Sequence, residues 1–228
     1  MHIGLLLFPK LTLLDLVGPG EVFARVPDAK VHLIWKRRDL VATVSGHEMR
    51  PTTTFADCPQ SDVLCVPGGP GQVDLMEDEE TLAFLRMQAA GVKWVTSVCT
   101  GSLILAAAGL LTGYRAGCHW ASLDQLELFD VIPVAERVVF DRNRATGGGV
   151  TAGIDFALSL VAKMNGEELA RAIQLSMEYD PSPPFTGGSP NSAEPALVAR
   201  LRAQMEPFIA PRRVVSERVA AKLNAAGQ

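Results

Sequence analysis

Short unbroken apolar runs alternate along this chain with stretches of helical spacing. The run from His2 to Phe8 is closed by Pro9 and predicts a first strand, and Leu16 to Phe23, with Pro19 near its start, predicts a helix entered near Gly18. Lys30 to Lys36 (KVHLIWK) and Leu40 to Ser45 predict strands. Asp62 to Val66 (DVLCV) predicts a buried strand running directly into Pro67-Gly68-Gly69. Continuous apolar strands of this kind belong to parallel sheets covered by helices on both faces. Glu77 to Glu80 open a helix whose Leu82, Leu85 and Ala89 follow helical spacing, and which stops before Gly91. Val92 to Val98 (VKWVTSV) is the next strand. After Cys99-Thr100-Gly101-Ser102 an Ala/Leu-rich helix begins at once and ends near Gly109, a strand–Cys–helix junction with almost no loop.

Farther on, Trp120 to Phe129 predicts a helix, Arg137 to Asp141 a strand, and Thr146 to Val150 (TGGGV) a glycine turn into the apolar helix Gly153 to Met164. From Asp180 the composition changes. The run from Pro181 to Pro190 cannot continue a helix and predicts a linker or an ordered surface arm. The expected division is one α/β domain over residues 1–190. Residues 191–228 then form an appendage packed on it or extending from it, with an amphipathic helix from Pro195 to Met205 and a polar tail from Arg212 onward.

Composition narrows the function classes. A chain of 228 residues with 48% hydrophobic and 20% charged residues fits one well-buried globular domain. A formal net charge of −4 offers no basic footprint, so nucleic acid is not an expected partner. The apolar start MHIGLLLFPKLTLLDLVGPG is broken by Pro9, Lys10 and Asp15 and lacks a basic leader, and Leu103 to Leu111 is too short to span a bilayer. No membrane partner and a cytoplasmic location are expected. The four cysteines, Cys58, Cys65, Cys99 and Cys118, show no CxxC spacing and no paired His spacing, so neither a metal site nor a disulfide framework is indicated.

Candidate chemistry centres on Cys99. A residue on a tight strand-to-helix turn projects above the sheet edge where ligands bind in open α/β sheets, against a helix N-terminus that favours a thiolate. Cys65 lies mid-strand and Cys58 in a loop, which suits small buried hydrophobes; Cys118 is a weaker second candidate. Developing negative charge needs donors, and Gly68-Gly69 at a strand end offers uncrowded backbone amides, or else only a tight turn. A proton carrier is also needed. Asp15 is an acid lodged in an apolar run, to be weighed against a helix N-cap near Gly18, with Glu21 one turn on as a competing acid.

Phe8-Pro9, Asp15, Gly18-Pro19 to Phe23, Val66-Pro67-Gly68-Gly69, Ser97-Val98-Cys99-Thr100-Gly101 and Ala145-Thr146-Gly147-Gly148-Gly149 together, in this order and spacing, resemble the ThiJ/PfpI superfamily over residues 1 to about 190. Within it the chain is most similar to the branch that hydrates isocyanides, which shares the Pro-Pro-Phe-rich arm after Asp180. The resemblance implies a flavodoxin-like, class I glutamine amidotransferase-like α/β sandwich with a mostly parallel central sheet, and a homodimer. It implies that Cys99 is the nucleophile at an elbow, that Asp15 contacts the thiol and that Thr100 lies beside it. It departs from the protease and glyoxalase branches, where a histidine follows the cysteine; Thr100 stands there instead. His119, placed before Trp120, suits a structural role more than a catalytic one.

The expected reaction is hydration of an isocyanide to an N-substituted formamide, with no metal or organic cofactor. Cys99 would attack the terminal carbon, Asp15 would deliver the proton to give a thioimidate, and water activated by ionised Asp15 would release the product. Thr100 and the Gly68, Gly69 and Gly148 backbones would shape the pocket, and Val150 and the Trp120 region would set its width. Three alternatives stand beside this: a non-catalytic amidase-like sensor of the kind that precedes DNA-binding regions in transcriptional regulators, with little chain left for such a region; a redox sensor oxidised at Cys99; and a glyoxalase-type enzyme adding the thiol to an aldehyde.

Overall fold

In the computed structural model, which describes residues 1–226, the apolar runs become strands and the helically spaced runs become helices. β1 (His2–Leu6) leads to α1 (Leu13–Phe23), β2 (Lys30–Trp35), a small ladder of β3 (Val41–Ala42) with β4 (Glu48–Met49), β5 (Thr53–Thr54) and β6 (Val63–Val66). Then come α2 (Gln72–Leu75), α3 (Glu79–Ala89), β7 (Trp94–Val98), α4 (Gly101–Ala107), β8 (Arg115–Ala116), a 3-10 helix over Trp120–Phe129 and β9 (Ile132–Pro133). β10 (Val138–Asp141), β11 (Arg144–Gly147), α5 (Ala152–Asn165), α6 (Glu167–Ser176) and α7 (Pro195–Ala226) follow.

Seven strands form one sheet in the order β10-β11-β7-β6-β1-β2-β5, and every neighbouring pair is parallel except β10 with β11. The central five, β2-β1-β6-β7-β11, have the flavodoxin-like order, as the α/β expectation requires. All four residues of β6 are buried, which is why that strand reads as an unbroken apolar run. α1 packs against α5 on one face, α3 and α4 cover the other, and α7 lies outside α4. The winding reverses between β1 and β6, so the loops after these strands diverge and open a crevice at the strands' C-terminal ends. The start of α1, Gly68-Gly69 and Cys99 all meet there.

Several local expectations change. α1 begins at Leu13 with Thr12 at its N-cap, not near Gly18, so Asp15 lies within the first turn and is no cap. The Leu40 to Ser45 strand shrinks to Val41–Ala42, and Trp120–Phe129 is 3-10 rather than α-helical. Glu167–Ser176 is a helix that the sequence pattern did not announce; it buries only Ala170 and Ile173.

The largest correction concerns the C-terminal segment. α7 is one helix of 32 residues with Pro207 and Pro211 inside it, and its second half, not its first, is docked. Ile209, Arg212, Ser216, Val219 and Ala220 are buried at three- and four-residue spacing, whereas Pro195 to Met205 is exposed or half-buried. Arg212 and Ser216 belong to the segment expected as a polar tail, yet both are buried. Both are held by partners: Arg212 Nη1 donates to Ser122 Oγ (2.7 Å) and Ser216 Oγ to Gln125 Oε1 (2.9 Å). The last two residues of the expected tail lie outside the described residues.

Candidate active site

β7 delivers Cys99 with φ +58°, a left-handed backbone that a non-glycine residue holds at a cost of about 1–3 kcal/mol. The neighbouring strand pins it: the Cys99 N–H donates to the carbonyls of both Gly147 (3.1 Å) and Gly148 (2.8 Å). Thr100 is the N-cap of α4, and Gly101 starts the helix so close to β6 that a Cβ there would strike the Val66 carbonyl and lie 2.7 Å from that of Pro67. The elbow therefore needs glycine immediately after Thr100.

Asp15 reaches this elbow fully buried. The Gly68 N–H donates to its Oδ2 at 3.0 Å, while Oδ1 is buried with no hydrogen-bond partner. Burial raises the Asp15 pKa from 3.8 to about 7, against the opposing pull of the Gly68 amide and the Cys99 thiol. Cys99 is 4% exposed. Burial, and then the Asp15 charge and the neighbouring Cys118, push its thiol well up, and only the Thr100 amide pulls the other way. The expected thiolate at the helix N-terminus is thus corrected for the resting site: dehydration outweighs the helix end, and the thiol is neutral beside a carboxyl group that titrates near neutrality.

The amides expected as free donors are already occupied. Gly68 N–H is held by Asp15, Gly69 N–H donates to Thr100 Oγ1 (3.0 Å), and Gly148 N–H to the Arg137 carbonyl (2.9 Å). Gly68-Gly69 is instead a clamp between α1 and the elbow. A Cβ on Gly68 would sit 2.5 Å from Thr100 N and 2.7 Å from its Oγ1. Gly69, at φ +130°, would drive one into the Thr12 amide. A buried hydroxyl chain completes the support: Ser97 Oγ meets Ser102 Oγ at 2.8 Å, Ser102 Oγ donates to the Gly117 carbonyl (2.6 Å), and Gly117 N–H donates to Thr146 Oγ1 (2.8 Å).

Beside the elbow lies a cavity of about 390 Å³, lined by Cys118, Trp120, Gly148 and Gly149 and roofed by Ser189 to Asn191 of the proline-rich arm and by Arg202. The Arg202 guanidinium stacks over the Trp120 ring, 5.3 Å from its centroid. A larger groove of about 830 Å³ between α5 and α6 holds neither a thiol nor a buried acid, so size alone does not mark the site. Cys118 is buried and its thiol pushed up to about 12, chiefly by burial, as is that of Cys65. His119 caps the 3-10 helix, its Nδ1 accepting from the Ala121 N–H at 3.3 Å, and burial lowers its pKa, so the ring is neutral. Glu21 is excluded as the competing acid: it is exposed and paired with Arg25 at 2.7 Å. Val150 is half-buried against the core beside Gly149 and does not line the cavity.

The DJ-1/PfpI family model matches residues 1–163, the span that holds the elbow, the buried acid and the glycine clamp. The chain belongs to the DJ-1/PfpI family. It is 54% identical over 224 residues to the isonitrile hydratase of Pseudomonas putida, covering 98% of each chain. It is 32% identical over 186 residues to the HTH-type transcriptional regulator GbdR of Pseudomonas aeruginosa, covering 78% of this chain and half of that protein. Among solved structures, a ThiJ/PfpI family protein from Pseudomonas syringae superposes with a TM-score of 0.92 at 43% identity, covering 94% of this chain and 90% of that one.

Within this DJ-1/PfpI chain the structure links Asp15 to Gly68 and Thr100 to Gly69 around Cys99, and the Gly148 carbonyl accepts from the Cys99 N–H. Sequence reasoning missed Ser97, Ser102, Ser122 and Arg212. A polar residue inside an apolar run signals the first two; Arg212 carries no local signal, because its burial depends on where α7 docks. Among the described residues, no cluster of three or more His, Cys, Asp or Glu side chains could hold a metal ion, and no helix is long and apolar enough to cross a membrane.

Proposed function

We propose that this chain is an isocyanide hydratase that converts an isocyanide and water to an N-substituted formamide through a covalent thioimidate on Cys99. The observation that carries the reading is Asp15: a buried carboxyl group with a pKa of about 7, one oxygen fixed by Gly68 and the other unpartnered beside the thiol. The 54% identity to an isonitrile hydratase over 98% of both chains supports it. Thr100 occupies the place after the nucleophile and the neutral His119 is committed to a helix cap, so the carboxyl group is the proton carrier.

The Cys99 proton passes to ionised Asp15 as sulfur adds to the terminal isocyanide carbon. Asp15 returns that proton to the same carbon, which completes the thioimidate and leaves the carboxylate ionised again. The carboxylate then takes a proton from water as the oxygen adds to this carbon. Asp15 passes that proton to the nitrogen of the resulting tetrahedral species, whose C–S bond then breaks as the hydroxyl proton returns by way of Asp15 to sulfur, leaving the formamide and the Cys99 thiol. No cofactor enters this scheme. The cavity under Trp120 and Arg202, which Gly148 lines, receives the substituent on nitrogen, and Thr100 supports the elbow rather than reacting. The same reading makes the enzyme a cytoplasmic homodimer, which sedimentation would measure.

The test is ultraviolet absorbance of para-nitrophenyl isocyanide on adding wild-type protein or Cys99→Ala. Formamide formed by wild type alone supports the reading. No turnover by either protein, with Cys99 still alkylating, overturns it and favours a ligand-sensing role, the second reading suggested by the 32% identity to a transcriptional regulator.

A further inference from the structure

The cavity beside the elbow joins the nucleophile's turn to the C-terminal helix. Gly148, whose carbonyl accepts the Cys99 N–H at 2.8 Å, lines it together with Trp120, and Arg202 of α7 and Ser189 to Asn191 of the arm cover it. A substituent carried by a carbon on Cys99 has this space to enter. At about 390 Å³ it is more than a small alkyl group fills and falls in the range of sites for ring-bearing small molecules.

Three charged side chains line the cavity, and two are answered. Glu136 has Arg115 at 3.9 Å, while Arg137 donates from Nε to Asp155 Oδ2 at 2.7 Å and from Nη2 to the Thr151 carbonyl at 3.1 Å. Arg202 differs. No carboxylate among the described residues lies within ion-pair distance of it: of the acids near Trp120 on the 3-10 helix, Asp124 is taken by Arg213 and Glu127 forms no pair with it. The pairs cancel, and Arg202 leaves the lining with one surplus positive charge.

What holds the Arg202 guanidinium is the Trp120 ring, 5.3 Å from its centroid. Stacking covers the face of a guanidinium and leaves its N–H edge free, and that edge matches the two oxygens of a carboxylate. Trp120 and Leu123 present apolar surface to the same space, which suits a flat ring. We propose that Arg202 is a specificity-determining residue, and that the preferred substrates are isocyanides whose nitrogen carries an aromatic ring ending in a carboxylate, with the ring beside Trp120 and the carboxylate on Arg202. The inference rests on the hydratase reading and names its substrate class.

The experiment compares kcat/KM for para-isocyanobenzoate with that for para-tolyl isocyanide, which replaces the carboxylate by a methyl group, in wild type, Arg202→Met and Arg202→Lys. Wild type should favour the carboxylate about tenfold, Arg202→Met should lose about that factor through KM with kcat on para-isocyanobenzoate within about twofold, and Arg202→Lys, which keeps the charge without the fork, should recover part of it. Arg202 is exposed, so these variants should fold as wild type does. Arg200→Ala removes the same charge from an exposed position outside the cavity and should leave the preference as it is. Equal kcat/KM for the two isocyanides in wild type, or a preference that survives Arg202→Met, overturns the proposal. Calorimetric binding of para-formamidobenzoate against N-(para-tolyl)formamide requires no chemistry: wild type should bind the first about tenfold more tightly and Arg202→Met should not, and equal binding by wild type overturns the proposal. Absence of turnover on either isocyanide, with the formamide preference and its dependence on Arg202 intact, counts against the hydratase reading and upholds the anion site.

Discussion

The Gly68 amide donates to Asp15 Oδ2 at 3.0 Å, and this one bond makes the two carboxyl oxygens unlike. It fixes Oδ2 and leaves Oδ1 buried and unpartnered, which makes Oδ1 the proton-carrying atom in the proposed mechanism. The same residue that orients the acid also touches the nucleophile's turn, since the Gly68 Cα hydrogen faces Thr100 N and Oγ1. A single backbone unit at the end of β6 thus holds acid and elbow in register.

Asp15→Asn should abolish turnover and stabilise the fold at pH 8. A carboxyl group whose pKa rises from 3.8 unfolded to about 7 folded binds its proton more tightly in the native state. Its penalty is absent at pH values below about 4, grows as pH rises to 7 and is complete above, amounting to about 4 kcal/mol at most. Thermal melts of the two proteins at pH 4 and pH 8 check this. A gain at pH 8 that is missing at pH 4 is the expected result.

The dependence of kcat/KM on pH should show a rising limb with a midpoint near 7. Below it both Asp15 and Cys99 hold protons, and the pair has no base to receive the thiol proton; above it one proton is shared between them. Initial rates from pH 5 to 9 measure the limb.

Gly68→Ala should remove most activity and cost about 2 kcal/mol or more of stability. Its new Cβ would meet backbone of the elbow at 2.5 Å, not a flexible side-chain end, so the turn itself must move. Denaturant unfolding and turnover, measured together, test it.

Thr100→Val keeps the shape of the side chain but leaves the buried Gly69 N–H without its acceptor. The expected cost is about 1–3 kcal/mol, with a smaller loss of activity than for Asp15→Asn because no proton passes through the hydroxyl. Urea midpoints and kcat distinguish the two effects.

Val219→Asp places an unpaired charge in the docked face of α7 and should release the helix, lowering stability and activity together. Circular dichroism melts and turnover measure the pair of losses.

The local pattern determined much of this protein. The unbroken run DVLCV required a buried strand, and a cysteine between VKWVTSV and an Ala/Leu-rich helix had room for nothing but a sharp turn. Asp15 stood out because an acid in an apolar run must find a partner or hold its proton, and it does both. Tertiary structure alone decided the rest. Whether the Gly68 and Gly69 amides face substrate or protein depends on residues 53 and 31 positions away along the chain. Whether Cys99 rests as thiolate or thiol depends on how completely the surrounding elements exclude water. Arg212 reads as a surface residue until α7 lays it on Ser122, 90 positions earlier. Periodicity and turn chemistry act over a few residues and are written locally; burial, desolvation and counter-charge are properties of the packed whole, and no stretch of sequence carries them by itself.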